Sequence, residues 1–357
     1  MIRKLASVQK IIKIEDIPGA EFVEVATVNA WKVVVKKGEF SVGDLVIYFE
    51  VDSFIPTALA PFLTKGDSEP REYNGVKGER LRTVKLRGIT SQGLVLPMSE
   101  YDYKLKDASA DDQFYSARIT PFIEGEDVSE HLCVLKYEPP IPACLAGVVK
   151  GPWPSAIPKT DEERVQNLTN EWPELLKVRY EISEKMEGAS MTVGLVNNEF
   201  IVCSRNLNLT ETESNTLWNL ARRYDIENKM RALACYEVAI QGECIGEGIE
   251  GNHYGIKGQD FYVYSIYDIV AGKYLSPEKR VNICNIIGLK HVPIVAYTAD
   301  LYDTLGISTI DQVLKYSDGK SNINPTKLRE GLVYKQVDGQ VHWKAVSNSY
   351  LLKHGSR

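Results

Sequence analysis

The chain has 357 residues, which is long enough for two domains, and its hydrophobic fraction of 44% allows each domain a core of its own. A formal net charge of −6 argues against binding to nucleic acid through overall electrostatic attraction, but does not exclude a local basic surface. No apolar run approaches the ~20 residues that a membrane-spanning helix needs, so we expect no membrane association.

The cysteines and the N-terminus indicate the compartment. Residues 1–4 lack the apolar core of a signal peptide. The six cysteines show neither CxxC pairs nor zinc-ligand spacing, so we expect reduced packing residues and a cytoplasmic location. They are Cys133, Cys144, Cys203, Cys235, Cys244 and Cys284.

The first part of the chain is typical of an all-β domain. Glycine-containing turns separate short β-branched or aromatic runs. We predict a small OB-like β-barrel over residues 1–135, with an acidic surface loop over 100–130. The predicted strands cover residues 22–28, 31–35, 45–49, 81–86 and 94–96.

A basic segment lies within this predicted barrel. Lys77, Arg80, Arg82, Lys85 and Arg87 fall within eleven residues that contain a single acidic residue. The pattern favours a solvated strand face and a nucleic-acid-binding surface about equally. In either case the alternation with apolar residues predicts that these cations share one exposed sheet surface.

A proline-rich segment over 136–158 predicts a linker, followed by a second domain over 159–357. Thr160-Asp161-Glu162-Glu163 fits a capping box and predicts the start of a helix. Two further helices are predicted over 215–234 and 276–287. Because the strands between them arrive in hairpins, we predict an α+β domain with a largely antiparallel sheet.

The pattern Lys-x-x-Gly occurs twice. Lys85-Leu86-Arg87-Gly88 is typical of an exposed turn. Lys185-Met186-Glu187-Gly188 follows a predicted strand at 178–182 and precedes a hairpin whose strands, 190–196 and 199–203, are joined by Asn197-Asn198. Lys185 therefore lies where a strand ends, a common position for a reactive side chain.

Further polar and aromatic positions follow Lys185 in a fixed order. Adenylyl transfer to a lysine needs a neutral amine, carboxylates that hold a hydrated divalent metal, a cation for the α-phosphate and an aromatic face for the base. Each position alone is more typical of a turn, a core strand or a solvated strand, and the joint order is what favours chemistry. The positions are Arg205 after a strand, Glu243 after a strand at 236–240, Tyr264 in the aromatic strand 261–266, Glu330 before the strand 331–335, and Lys344 as an outward lysine of 341–346.

The ordered set resembles the covalent lysyl-nucleotidyltransferase superfamily of ATP-dependent ligases and capping enzymes. Within it, the chain most resembles RNA ligases that carry an N-terminal OB domain, and the segments 91–94 and 160–167 are similar to segments of that family. The resemblance extends over nearly the whole chain. It implies an antiparallel-sheet-rich, ATP-grasp-like ligase domain after the barrel.

The resemblance also implies roles for individual residues. Lys185 would be the adenylylated nucleophile, and Lys344 would contact the α-phosphate. The full implied set is catalytic Lys185, Lys344, Glu243 and Glu330; nucleotide-binding Glu184, Arg164, Arg205, Tyr264 and Lys335; and, for the water shell of a metal, Glu187, Glu243 and Glu330. Three positions depart from the family pattern: Glu187 stands for the usual Asp, Ser190 for Asn in several relatives, and Val346 for a second lysine, which Lys335 or Lys353 would replace.

The implied activity is ATP-dependent RNA ligation, with AMP carried on Lys185, Mg²⁺ or Mn²⁺ as cofactor, and RNA ends in a nicked duplex as substrate. No obligate protein partner is evident. Only thirteen residues follow Lys344, and the barrel precedes the core, which favours an RNA ligase over a DNA ligase. The alternatives are a non-catalytic OB-type RNA-binding protein with a degenerate core and a capping-type guanylyltransferase.

Overall fold

The computed structural model describes residues 3–66, 68–98, 122–137, 149–233 and 237–354. The chain divides into two compact units, and each is treated by itself. The first unit comprises Met1–Pro139, Gln166–Thr169 and Leu351–Arg357, and the second comprises Pro140–Val165 and Asn170–Tyr350.

Two predicted irregular segments fall largely outside this description. Of the predicted surface loop over 100–130, only residues 122–130 are described, and of the predicted linker over 136–158, residues 138–148 are not. The described end of the linker contains a short strand at Val149–Pro152.

The first unit is built on a five-stranded antiparallel sheet. The strands of the whole unit, in its described residues, are β1 (Ala6–Asp16), β2 (Val23–Val28), β3 (Trp31–Lys36), β4 (Leu45–Phe49), β5 (Ser53–Pro56), β6 (Arg71–Tyr73), β7 (Val76–Arg80), β8 (Val84–Leu86), β9 (Ile89–Ser91), β10 (Leu94–Pro97) and β11 (Leu135–Lys136). The main sheet has the order β10-β4-β1-β2-β3, and β3 lies against β10, so the sheet curves toward closure. This OB-type half-barrel confirms the predicted fold.

Strand periodicity explains why these segments pair as they do. In β3, Trp31, Val33 and Val35 are buried, while Lys32 and Lys36 are exposed, which is the alternation of a strand with one wet face. The predicted strands at 22–28, 31–35, 45–49 and 94–96 agree with β2, β3, β4 and β10 to within one residue.

The longest strand of the unit, β1, was missed by sequence reasoning. Its first three residues are all buried, and charged Lys10 and Lys13 lie among the exposed positions that follow, so burial does not alternate along the strand. Its pairing with both β2 and β4 makes it central to the half-barrel. Burial by two neighbouring strands, rather than local propensity, selects the extended conformation here.

The predicted strand over 81–86 is wrong at its start. Only Val84–Leu86 form β8, which pairs with β9 in a separate hairpin, and Leu81 is buried in the core. The strand that precedes it, β7, belongs to a second sheet with the order β11-β5-β7-β6. The basic segment therefore spans two sheets instead of one strand.

The predicted common basic surface is consequently wrong in part. The Arg80 side chain is buried, donates to Asp52 at 2.8 Å, and lies over the Tyr137 ring, 4.5 Å from its centroid. The other four cations of the segment are exposed. They are Lys77, Arg82, Lys85 and Arg87.

The second unit contains two largely antiparallel sheets. Its strands are β12 (Val149–Pro152), β13 (Glu163–Arg164), β14 (Tyr180–Lys185), β15 (Ala189–Val196), β16 (Glu199–Cys203), β17 (Leu207–Leu209), β18 (Val238–Gly246), β19 (Gln259–Asp268), β20 (Lys273–Tyr274), β21 (Lys290–His291), β22 (Ile294–Tyr297), β23 (Gly331–Gln336) and β24 (His342–Val346). The larger sheet has the order β12-β17-β16-β15-β18-β19-β20, with β21 also on β19, and the smaller has the order β13-β24-β23-β14-β22. Among the described residues, each sheet has one parallel pair, β19–β21 in the larger and β13–β24 in the smaller. Together with few helices, this largely antiparallel arrangement confirms the predicted α+β, antiparallel-sheet-rich domain.

The α-helices of the described residues are short. They are α1 (Trp172–Leu175), α2 (Thr216–Arg223), α3 (Ile226–Ala232), α4 (Pro277–Ile287), α5 (Leu301–Leu305), α6 (Ile310–Ser317) and α7 (Asn348–His354). None of these has the length and apolar composition required to cross a bilayer. The predicted helix over 276–287 forms as α4, which the hydroxyl of Ser276 caps, whereas α1, α5, α6 and α7 have no counterpart among the predicted helices.

Two helix predictions are wrong. The segment 215–234 is broken at Asp225, whose φ of 52° is left-handed, so it forms α2 and α3 instead of one helix. The capping-box pattern at 160–163 opens no α-helix, because Glu163 and Arg164 form β13 beside β24 and only a short 3₁₀ turn, Val165–Asn167, follows.

The smaller sheet presents two chemically different faces. One carries Tyr180, Tyr334 and Trp343; the Tyr334 and Trp343 rings are stacked with centroids 3.9 Å apart, and the Trp343 indole donates to the Tyr180 hydroxyl. Since side chains alternate along each strand, the neighbouring positions project from the opposite face. That face carries Glu181, Lys185, Lys335, His342 and Lys344.

Candidate active site

Lys185 is the last residue of β14 and pairs with Gly331, the first residue of β23. The chain then turns through Gly188 into β15. A Cβ atom at Gly188 would lie 2.2 Å from the Cys244 carbonyl oxygen of β18, so only glycine fits the close approach of the two strands. The glycine of the motif therefore brings β18, with its acidic residue, close to the lysine.

Glu330 immediately precedes β23 and is the direct partner of Lys185. The distance from Lys185 Nζ to Glu330 Oε1 is 2.5 Å, and the two side chains are 26% and 19% exposed. Burial lowers the pKa of the Lys185 amine, but the charge and hydrogen bond of Glu330, helped by Glu243, outweigh burial and hold the pKa above its usual value. Without ligands the amine is thus charged, so the neutral nucleophile required for attack must be produced by what binds there.

Glu243 lies inside β18, where it pairs with Ser190 and Tyr262, and so does not follow the strand as predicted. Burial raises the pKa of its carboxyl to about 8, although Lys185 acts in the opposite direction. Arg205, which is exposed after β16, also lowers this pKa and is therefore an electrostatic neighbour of Glu243.

Lys344 is not the outward lysine that the sequence predicts. Its side chain is 11% exposed, and Nζ lies 3.2 Å from Asp161 Oδ1. Burial lowers the pKa of Lys344 more than Asp161 raises it. Arg164, which pairs with Lys344 in the parallel β13–β24 register, is buried and adds a second positive charge.

Asp161 and Glu162 are site residues that sequence reasoning missed. Burial raises the pKa of Glu162, but nearby Lys335 and Lys344 outweigh burial, and the net shift is downward. The sequence signal for these two residues is an acidic pair close to Arg164, a cation that is buried in β13. The local pattern instead fits a helix cap, because β24, the strand with which β13 pairs, is about 180 residues further along the chain.

Tyr264 is held in place at both ends. Its hydroxyl lies 2.9 Å from Thr160 Oγ1, and its backbone oxygen accepts hydrogen bonds from Lys335 and from Arg280. The Lys335 ammonium lies 5.3 Å from the centroid of the Tyr264 ring. Burial raises the pKa of the Tyr264 hydroxyl, so the side chain stays neutral.

A buried ion pair ties the nucleophile strand to this aromatic position. Arg280 of α4 donates two hydrogen bonds to Glu181 of β14, at 2.8 and 3.0 Å, and both side chains are at most 2% exposed. Lys335 also donates to Ser265 Oγ at 2.5 Å. Burial and Arg280 lower the pKa of Lys335 to about 8. Neither Arg280 nor Glu181 was predicted.

The described contacts of two predicted site residues, Glu184 and Glu187, are not with Lys185 or its neighbours. Glu184 is on the aromatic face of the sheet. There its Oε2 accepts a hydrogen bond from the backbone N–H of Asn322 at 2.7 Å, and burial raises the pKa of its carboxyl. The Glu187 carboxylate lies 3.2 Å from His253 Nδ1, and both side chains are buried. Their predicted contacts with adenine and with a metal stay predictions.

The acidic residues determine what cation the site fits. In the described part of the chain, no group of three or more His, Cys, Asp or Glu side chains is placed to ligate a metal directly. Glu243 and Glu330 both act on the Lys185 amine, and carboxylate oxygens are the donors that Mg²⁺ and Mn²⁺ prefer. The donor set therefore fits a hydrated divalent cation held through its water shell.

Cations on the Lys185 face of the smaller sheet suit phosphate groups. Lys335 and Lys344 project from that face, and Arg164 lies beside Lys344 in the β13–β24 register. Glu184 Oε1 is enclosed on the opposite, aromatic face and is not brought to these cations. The residues of the Lys185 face therefore fit the phosphates of a nucleoside triphosphate and a cation.

An OB half-barrel, a two-sheet second unit and a strand-end lysine beside buried carboxylates define a covalent lysyl-nucleotidyltransferase of the ligase class. Comparison with protein families agrees: residues 5–98 match an OB-fold domain, and residues 178–353 match RNA ligase. The chain belongs to the RNA ligase family. A search of curated proteins gave no match.

Solved structures of a Naegleria gruberi RNA ligase are similar over essentially the whole chain. The ligase with PPi has 41% identity and a TM-score of 0.85, with 99% of each chain covered. A lysine-to-alanine variant with ATP and Mn has 40% identity and a TM-score of 0.85, with 98% of this chain and 99% of that chain covered. A lysine-to-methionine variant with AMP and Mn has 40% identity and a TM-score of 0.86, with 99% of each chain covered.

Proposed function

We propose that this chain is an ATP-dependent RNA ligase that joins a 3′-hydroxyl to a 5′-phosphate at a nick in an RNA-containing duplex. The observation that carries the proposal is the 2.5 Å contact between Lys185 Nζ and Glu330 Oε1, on a sheet face shared with Lys344. The related Naegleria ligase, solved with ATP, with AMP and with PPi, supports the same substrate and products here.

The first step forms a bond between Lys185 Nζ and the α-phosphorus of ATP and breaks the bond from that phosphorus to pyrophosphate. The amine must lose its protons, and Glu330 is the closest acceptor. Lys344 and Arg164 contribute positive charge where negative charge develops on the α-phosphate. The product is a lysyl-AMP phosphoramidate.

The cofactor is Mg²⁺ or Mn²⁺, with Glu187, Glu243 and Glu330 holding its water shell. When bound, such a cation neutralises the triphosphate and favours the uncharged form of a nearby amine. Glu243 is suited to this role because its carboxyl, with a pKa of about 8, gains charge when a cation replaces its proton.

The remaining nucleotide contacts are proposed from the resemblance of these positions to the ligase family. Tyr264 stacks on adenine, Glu184 accepts from the adenine amino group, and Arg205 contacts the ribose or the RNA end. Lys335 replaces the second lysine of the family pattern, because it shares the carboxylate of Glu162 with Lys344. Lys353, the other candidate, is exposed on α7.

The second and third steps use the nucleic acid. The 5′-phosphate attacks the lysyl-AMP phosphorus, releasing Lys185 and forming a 5′-adenylylated end. The 3′-hydroxyl then attacks that activated phosphate, forming the phosphodiester and releasing AMP. The non-catalytic alternative is disfavoured because the lysine, the carboxylates and the phosphate-binding cations converge on one site.

Incubation with ATP and Mn²⁺ followed by intact-mass measurement tests the first step. We expect one added AMP, and peptide mapping should locate it on Lys185. Addition of one GMP from GTP instead would favour the guanylyltransferase alternative. No adduct with either nucleotide would contradict the ligase proposal.

Sealing of matched nicked duplexes tests the substrate. We expect joining when the 3′-hydroxyl strand is RNA, and the four combinations of RNA and DNA on the two sides of the nick will define the requirement. Equal sealing of two free single strands, without a splint, would contradict the assignment to nicks.

A further inference from the structure

Glu330 stands outside the strand ladder that fixes most of the site. It precedes β23, whose pairing with β14 begins at Gly331, yet its carboxylate meets the Lys185 amine at 2.5 Å. The contacts that place Glu330 must therefore come from the chain on either side of it.

Arg329 is buried immediately before this glutamate and holds the end of α6. Its Nε donates to the carbonyl oxygen of Ser317 at 3.0 Å, and its Nη2 donates to those of Tyr316 and Asp318 at 2.5 and 3.1 Å. Its backbone N–H donates to the carbonyl oxygen of Gly319 at 3.1 Å. One residue is thus bonded to four consecutive positions at the end of that helix.

The end of α6 explains why an arginine suits this position. Asp318, which follows the helix, is extended, with φ −67° and ψ 142°, so the helix cannot bond the carbonyl groups of its own last turn. A cation at a helix C-terminus also complements the helix dipole. The planar fork of a guanidinium serves three carbonyl oxygens at once, whereas a lysine keeps the charge without the fork.

A second set of contacts completes the connection on the other side of Glu330. The backbone N–H of Ser347 donates to the Glu330 carbonyl oxygen at 2.8 Å, and the Ser347 hydroxyl donates to Asp318 Oδ1 at 2.6 Å. Ser347 is fully buried. The segment that follows α6 is therefore linked to Glu330 from both sides, through Arg329 and through Ser347.

We propose that Arg329 is a positioning residue, which fixes the Glu330 carboxylate beside the Lys185 amine by anchoring residue 329 to the end of α6. The inference rests on the proposed function for the reaction that Glu330 serves. Glu330 is the closest proton acceptor for the amine, and a displacement of about 1 Å at such a group can slow a reaction by roughly 100-fold. Arg329 acts through Glu330 and needs no contact with the nucleotide.

A double-mutant cycle on the single-turnover rate of AMP labelling separates positioning from general stability. At saturating ATP and Mn²⁺, Arg329→Lys should slow labelling by roughly 10- to 100-fold, and the ATP concentration for half-maximal rate should stay within about 2-fold. In a Glu330→Gln background, Arg329→Lys should slow the remaining labelling by less than about 2-fold, because no carboxylate is left to position. An equal slowing in both backgrounds would overturn the proposal.

Thr309→Ala is the matched control, because Thr309 caps the opposite end of the same helix. Its hydroxyl accepts from the Gln312 backbone N–H at 3.3 Å, within a capping box. Loss of this cap loosens α6 without touching residues 316–319, and should slow labelling by less than about 2-fold. A slowing as large as that of Arg329→Lys would show that loosening the helix is enough, and would overturn a specific role for Arg329.

Hydrogen exchange of the full chain, followed by mass spectrometry, tests the Arg329 contacts without turnover. The peptide over residues 329–332 should exchange at least about 10-fold faster in Arg329→Lys, and at the wild-type rate in Thr309→Ala. Unchanged exchange in Arg329→Lys would overturn the proposal, even where Glu330→Gln labels too slowly to complete the cycle.

Ser347→Ala opens the same connection at Asp318, in case Arg329→Lys fails to fold. It should accelerate exchange of the same peptide and slow labelling, and wild-type values for both would overturn the proposal. Faster exchange in Arg329→Lys with no labelling of wild-type Lys185 would support the positioning of Glu330 and contradict the proposed ligase activity. Faster exchange with a slowing that depends on Glu330 supports both.

Discussion

The chain contains two Lys-x-x-Gly motifs, and their glycines serve different purposes. In the first, Arg87 and Gly88 have φ values of 49° and 87° and form the turn of the β8–β9 hairpin, with open space around Gly88. In the second, a side chain at Gly188 would collide with the Cys244 carbonyl oxygen. One glycine is needed for its backbone conformation and the other for the close approach of a strand.

The two lysines differ for the same reason. Lys85 lies exposed on a two-stranded hairpin. Lys185 lies at the junction of β14, β23 and β18, which bring Glu330 and Glu243 to its amine. A short motif thus acquires chemical meaning from the strands that surround it, and the four pairs of variants below test that difference.

The largest expected effect is at the lysines themselves. Lys185→Ala should reduce AMP labelling to background, because no other atom can form the phosphoramidate. Lys85→Ala should label like the wild type. Gel analysis with radiolabelled ATP measures both. Residual labelling of Lys185→Ala at the wild-type level would place the nucleophile elsewhere.

The second largest effect on AMP labelling is expected at Lys344, whose ammonium group is paired with Asp161. Lys344→Ala should slow labelling by roughly 10²- to 10³-fold, the usual loss when one stabilising group is removed from a reacting phosphate. Lys353→Ala, an exposed lysine of α7, is the matched control and should leave the rate unchanged. Similar rates for the two variants would remove Lys344 from the site.

Substitution of the glycines separates their two purposes. Gly188→Ala should destabilise the protein by about 3 kcal/mol, since a backbone oxygen 2.2 Å away cannot rotate aside as a side chain can. Gly88→Ala should cost about 1–2 kcal/mol through backbone strain alone and preserve labelling. Urea denaturation of both variants measures this difference, and an equal cost would contradict the crowding at Gly188.

The smallest effect concerns the carboxyl beside Lys185. Folding raises the Glu243 pKa from 4.5 to about 8, so the folded chain keeps a proton that the unfolded chain releases, and stability falls as pH rises between these values. Glu243→Gln removes this loss, so its stability relative to wild type should rise between pH 5 and pH 7.5. Thermal unfolding at both pH values measures the effect.

Glu72→Gln serves as the control for this pH dependence, because Glu72 is exposed on β6 in the first unit. Its stability relative to wild type should be the same at both pH values. A pH-independent result for Glu243→Gln as well would show that Glu243 does not hold a proton in the folded chain.

The parts of the fold that sequence predicts are those with local causes. Asn197 and Asn198 adopt left-handed φ values of 51° and 65° and join β15 to β16 as their chemistry requires. Ser276 caps α4 for the same kind of reason. The position of Lys185 at a strand end follows from the alternation of the residues before it.

The errors have distant causes. Thr160-Asp161-Glu162-Glu163 satisfies the local rule for a helix start, but Asp161 bonds to Lys344 and the segment extends alongside β24. Arg280 and Glu181 are 99 residues apart, and nothing near either residue signals their pairing. Long-range pairing decides these positions, and local propensity is only a weak guide to it.

In the smaller sheet, the strand register that packs the aromatic face also sets which side chains reach the catalytic face. If β24 slipped by one position against β23, Lys344 would be forced into the aromatic layer, and Trp343 would project into the phosphate site. The stacked Trp343 and Tyr334 rings and the Trp343–Tyr180 hydrogen bond penalise that slip. The aromatic layer thus fixes the register of β24 against β23. A chain that packs these rings correctly also places Lys344 on the face that carries Lys185.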